Sequence, residues 1–340
     1  MKFERVPLRA ALGHVLGHNV SHAGRRVLRK GLVIGPREVA ELGELGVSSI
    51  YTARLEPTDV AEDVASRRIG SRLAERGALD AEIAHGGRVS LRARATSLVS
   101  LSPERLLELN LIDGVTLATL PNHSVVEPRQ IVATLKVIPF ALPEESVQAA
   151  ERLALAGVLD CRPIPVRRVR LLIGGAEDRR QRLLSTFEPP LRARLAGLGV
   201  VDVEAEYVAL GGEPEQALSN ALGRQLDAGA QLVIVAGETA TMDWDDLAPQ
   251  AIRRAGGRVE VLGAPVFPGN LLLLGYRGGA AILGAPGCVR SRERNIVDLI
   301  LPRLLLGESL GPREIAELGS GGMLAGSVGK EDSGHNDGHD

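Results

Sequence analysis

Between residues 170 and 306, short apolar runs of strand length alternate with amphipathic stretches of helical length. This alternation restricts the chain more than any other feature. RLLI (170–173), VDVEAEYVAL (201–210), QLVIVAG (231–237), VEVLGAPV (259–266), NLLLLGY (270–276) and AAILGAPG (280–287) read as strands. Segments 179–196, 213–229, 245–256 and 291–306 read as helices, the last with Ile296, Ile300 and Leu304 on one face. Strands that alternate with helices build a parallel sheet covered on both faces. The expectation for 165–310 is therefore a three-layer, doubly wound, mostly parallel α/β domain.

Residues 1–160 follow another pattern, read as a mixed α+β region. PLRAALGHVL (7–16) has helical spacing after Pro7, and GPREVAELGELG (35–46) is a second amphipathic helix. The segment between them is basic and extended. Residues 61–84 read as a helix, 86–100 as a strand or hairpin, 102–113 as a helix and 116–143 as strands broken by Pro and Asn turns. CRPIPVRR (161–168) is a connector, and the domain boundary is placed there. Residues 326–340 turn polar and read as a disordered tail, whose His335 and His339 are either solvated or a weak metal pair.

With 340 residues, the chain is long enough for two or three domains. A net charge of -2 and 2% aromatic residues argue against a nucleic-acid partner. Only four of the 40 basic residues are lysine, which reflects genomic composition or selection for bidentate anion binding. Cys161 and Cys288 lie too far apart in sequence to suggest a disulfide framework or zinc site. The N-terminus lacks the apolar core of a signal peptide, and no apolar run is long enough to span a bilayer. The expectation is a cytoplasmic protein with no membrane partner.

Ligands of doubly wound sheets bind beyond the carboxyl ends of the strands. Two loops expected there carry chemistry. Gly237-Glu238-Thr239-Ala240-Thr241-Met242-Asp243-Trp244-Asp245-Asp246 offers hydroxyls, four carboxylates and the only Trp, and runs into a helix start that favours anions. Its carboxylates could hold Mg²⁺. Gly284-Ala285-Pro286-Gly287-Cys288-Val289-Arg290-Ser291 lets backbone approach a ligand, with Arg290, Arg292 and Arg294 as phosphate partners. Gly174–Arg180 and Pro268-Gly269-Asn270 are lesser candidates. Each loop also has a plain structural reading, since Gly ends strands and Asp caps helices. Cys288 is either a small buried thiol or a contact for a sulfur-rich ligand.

On these residues the chain resembles the molybdopterin-binding (MoaB/Mog, MoeA-like) family. AGETATMDWDDL and ILGAPGCVRSRERN stand where that family has its two ligand loops, and PVFPGN is similar to its Pro-Gly-Lys segment. VPLRAALGHVLGHNV and KGLVIGPREVAELGELGVSSI look like the opening of MoeA-type molybdenumtransferases, over 1–52. The resemblance implies binding of molybdopterin or its adenylylated form by Gly237, Thr239, Thr241, Pro286, Gly287 and Ser291. It implies catalytic and Mg²⁺-binding roles for Asp243 and Asp246 in molybdate insertion, and a homo-oligomer. Ala236, Asn270 and Cys288-Val289 depart from the family pattern. Binding is thus the broader implication and insertion the narrower. Three readings follow: a transferase, a non-catalytic cofactor carrier serving a nucleotidyltransferase or molybdoenzyme client, and a CinA-like nucleotide-phosphate hydrolase.

Overall fold

The computed structural model describes residues 1–238 and 241–324. The polar tail expected over 326–340 lies outside the described residues. The chain is mixed α/β and divides into two compact units, the first Met1–Pro163 and the second beginning at Ile164.

In the first unit, strand Lys2–Pro7 pairs antiparallel with Ser49–Arg54, which pairs with Val15–Leu16. The expected helix over 7–16 does not form. Residues Leu8–Ala10 make one 3-10 turn, and Gly13 at φ +80° redirects the chain into the Val15–Leu16 strand. Leu8, Ala11 and Leu16 are still buried, but Leu12 is exposed and Val15 only half-buried, so the apolar spacing reported burial in part and the local conformation not at all. Helix Pro36–Glu44 follows as expected. The expected helix over 61–84 stops at Ala74, because Gly77 at φ +107° turns the chain into strand Leu79–Ala84. A Cβ at Gly77 would lie 2.2 Å from the Cys161 carbonyl oxygen. Helix Glu62–Ala74 covers a four-stranded antiparallel sheet made of Val115–Thr119, Ile131–Val137, Arg88–Ala93 and Leu79–Ala84, in that order.

The second unit runs β1 (Val169–Gly175), α1 (Arg180–Gly197), β2 (Val203–Ala209), α2 (Pro214–Asp227), β3 (Leu232–Gly237) and α3 (Leu247–Arg254). It continues through β4 (Arg258–Leu262), β5 (Leu273–Arg277), β6 (Ala280–Gly284), α4 (Ile296–Leu305) and α5 (Pro312–Ala316). Its sheet has the order β2-β1-β3-β6-β5-β4. The β2, β1, β3 and β6 pairings are parallel, and those of β5 with β6 and β4 are antiparallel.

Every residue of β1 is buried, as a central strand covered on both faces requires. Leu171 and Ile173 pack with α1 and α4 on one face, while Leu172 packs with α2 and α3 on the other. The chain leaves β1 toward β2 on one side and returns to β3 on the other. The order of strands therefore reverses between β1 and β3, at their carboxyl ends.

Candidate functional site at the strand ends

Glycine lets β1 and β3 close on each other at this reversal. A Cβ on Gly237 would fall 2.1 Å from the Gly174 carbonyl oxygen, and one on Gly175 would fall 2.2 Å from Leu183 Cδ1. No side chain fits there, so the strand ends expose backbone.

Two recesses flank Gly237 and Ala285. On the α1 side is a cleft of about 400 Å³, lined by Arg179, Arg182, Thr186, Phe187, Glu238, Gly287 and Arg290 besides those two. On the other side Thr241, Leu247, Leu271 and Pro286 help line a crevice of about 30 Å³, room for roughly one water.

The cleft is cationic, and its three arginines differ in availability. Arg179 is ion-paired with Glu238. Glu238 also accepts the Ala176 N–H at 3.1 Å, which ties the β1 and β3 loops together. Tyr207 donates its hydroxyl to the Ala176 carbonyl. Its phenol pKa is pushed up by burial first and then by the Glu177 and Glu238 charges. Arg290 donates Nε to the Gly287 carbonyl at 2.9 Å and lies 5.9 Å from the Phe187 ring centre. Neither Arg182 nor Arg290 has a carboxylate partner among the described residues.

The acidic loop is arranged differently. Asp246 caps α3, accepting from the Leu247 N–H at 2.7 Å and, through its other oxygen, from the Met242 N–H at 3.0 Å. Asp243 accepts from the Asp245 N–H at 2.9 Å, and its carbonyl receives the Asp246 N–H. Asp245 faces solvent and pairs with Arg253. Among the described residues, no group of three or more His, Cys, Asp or Glu side chains is placed to hold a metal.

The loop after β6 is held from beneath. Arg194, nearly buried, pairs with Asp298 at 2.9 Å and donates to the carbonyls of Val289, Ser291 and Glu293. Buried Asn295 caps α4 in a reciprocal box with Asp298. Ser291 Oγ accepts from the Glu293 N–H. Burial pushes the Cys288 thiol pKa up, which keeps it protonated and poorly nucleophilic. Asn270 donates to the Ala264 carbonyl, and the Pro268 carbonyl receives the Ile296 N–H at the start of α4.

Gly237, Thr241, Pro286 and Gly287 thus line the two recesses, whereas Ser291, Asp243, Asp246 and Cys288 line neither. Thr239 lies outside the described residues. Sequence reasoning missed Arg182, Thr186 and Phe187. Their only signal is spacing: Arg182 and Thr186, and likewise Leu183 and Phe187, are four apart on α1 and so share a face. The pattern marks a covering helix, and only the fold shows that its first two turns overhang the strand ends.

Residues 5–54 match a family model described as "Domain of unknown function (DUF8806)", a span that includes none of these strand-end residues. No curated protein matches the chain. Among solved structures, the molybdopterin biosynthesis MoeA protein of Pyrococcus horikosii aligns with 90% of this chain and 75% of its own length, at 12% identity and a TM-score of 0.30. At that score the likeness carries no argument.

Proposed function

We propose that the second unit binds a phosphorylated small molecule in the α1-side cleft, and that this ligand is molybdopterin or its adenylylated form. One observation carries the anion reading: Arg182 and Arg290 face a single cleft without a carboxylate partner among the described residues, where strand order reverses. Unpaired guanidinium groups beside exposed strand-end backbone suit a phosphate, which takes charge-assisted hydrogen bonds from both. The choice of a pterin phosphate rests on the resemblance in the loops after β3 and β6. The same resemblance supports the doubly wound molybdopterin-binding architecture as the finer description of this unit.

Within this proposal, a carrier is favoured over a molybdate-inserting transferase. Both oxygens of Asp246 already accept backbone N–H groups, and Asp243 is engaged in the same turn. Recruiting Asp246 to Mg²⁺ would cost the α3 cap, and recruiting Asp243 would compete with its hydrogen bond from the Asp245 N–H. The test is calorimetric titration of the full chain with molybdopterin and with its adenylylated form, with and without Mg²⁺ and molybdate. Binding without AMP release supports the carrier. AMP release that needs molybdate would restore Asp243 and Asp246 as catalytic groups. AMP release without molybdate would favour a phosphate hydrolase, and no binding of either pterin would refute the proposal.

A further inference from the structure

Residues 5–37 contain seven basic residues and no acidic one, whereas the rest of the chain has 33 basic against 42 acidic. Arg5, Arg9, Arg25, Arg26, Arg29, Lys30 and Arg37 are all exposed, and none is ion-paired among the described residues. A solvated surface ordinarily interleaves the two signs of charge. Between Glu4 and Glu38 the sequence holds no acidic residue, and none of the seven basic side chains gains a paired carboxylate among the described residues.

The fold fixes where four of these residues stand. Arg25 and Arg26 lie on the second arm of a hairpin, Val20–His22 with Arg25–Leu28. The Lys30 N–H donates to Asn19 at its root. Arg5 stands opposite Tyr51 across the Lys2–Pro7 and Ser49–Arg54 pair, on the face that also carries Phe3. The Phe3 and Tyr51 rings stack with centres 6.0 Å apart and planes within 14° of parallel, with His18 edge-on to both. Val15 bridges to Val33 on its other side, which brings exposed Leu12, Leu32 and Val33 onto the same segment.

We infer that this surface docks a partner protein whose contact face carries carboxylates around an apolar centre. Charge complementarity selects the acidic partner. The exposed aliphatic side chains favour a protein over a nucleic acid, since Leu12, Leu32 and Val33 offer nothing to phosphates but do form the centre of a protein interface. Tyr51, Phe3 and the arginines supply the residue types that carry most interface energy. The inference does not depend on the pterin proposal.

The test uses the full chain and four probes: a labelled peptide alternating Glu with Leu and Phe, polyglutamate of the same length, a polyuridine oligonucleotide, and phosphatidylserine vesicles. The peptide is expected to bind about tenfold tighter than polyglutamate, and to weaken about tenfold from low to physiological salt. The double variant Arg25→Glu/Arg26→Glu should abolish binding, and Val33→Ser should weaken it several-fold. Both sites are exposed, so unchanged thermal unfolding would show that each variant is folded. No peptide binding, or equal binding of polyglutamate, would overturn the inference. So would tighter binding of the oligonucleotide or the vesicles.

Discussion

The two sides of the strand ends in the second unit hold opposite charges in opposite states. In the loop after β3, Asp243 and Asp246 spend their carboxylates on backbone N–H groups of their own turn. Across Gly237, Arg182 and Arg290 reach a cleft whose lining carboxylate, Glu238, is already paired with Arg179. The acidic loop looks richer in sequence, because four carboxylates stand close together there. What a ligand can use is what the protein leaves unpaired, and on that measure the arginine side is the better site.

The largest effect should come from breaking the close approach that separates the two sides. Gly237→Ala places a methyl against backbone oxygen, not against a movable side chain. A loss of roughly 3 kcal/mol or more is expected in urea unfolding. A loss below about 0.5 kcal/mol would mean that the strand ends can separate freely.

Next is the support under the arginine side. Arg194→Met strands Asp298 and releases three loop carbonyls, and should cost roughly 3 kcal/mol. Asn295 and Asp298 would still close the α4 cap, so helix content should persist in circular dichroism.

Replacing the arginines that face the ligand should separate binding from stability. Arg182→Ala and Arg290→Ala are each expected to weaken pterin-phosphate binding by about tenfold, with stability changed by less than about 0.5 kcal/mol. Asp246→Ala should do the reverse, losing about 1 kcal/mol with the α3 cap while phosphate affinity stays unchanged. If Asp246→Ala weakened binding more than Arg182→Ala, the comparison would be inverted.

The smallest effect concerns an arginine that is fully used. Arg68 in the first unit is gripped by both Glu144 and Glu151. Hydrogen bonding from Arg68 holds the Glu144 carboxyl down to about 2. A carboxyl whose folded pKa is depressed stabilises at pH above its unfolded value, and that contribution fades as pH falls toward about 2. Glu144→Gln should therefore shift thermal unfolding slightly at neutral pH and converge with the parent chain in strong acid. A gap that widened in acid would contradict this sign.

The β/α order of the second unit was legible because burial on both faces demands continuous apolar strands and amphipathic helices. Residue types decided that much: RLLI (170–173) reads as a strand, and the structure extends it to Val169–Gly175 at the centre of the sheet. In the first unit the same spacing at 7–16 misled, because burial of Leu8, Ala11 and Leu16 can be met by a turn and a strand once Gly13 breaks the helix.

The site divided in the same manner. Small residues at the ends of β3 and β6 were visible in the sequence, since close backbone contact has a compositional signature. That Arg182 reaches their cleft, while Asp246 turns back onto its own helix, was decided only by the tertiary structure. Availability depends on what packs beside a side chain, and the neighbours of Arg182 come from strands more than fifty residues further along the chain. The sequence by itself determined which strand-end loops could serve a ligand, and the folded arrangement determined which side chains, Arg182 among them, were left free to do so.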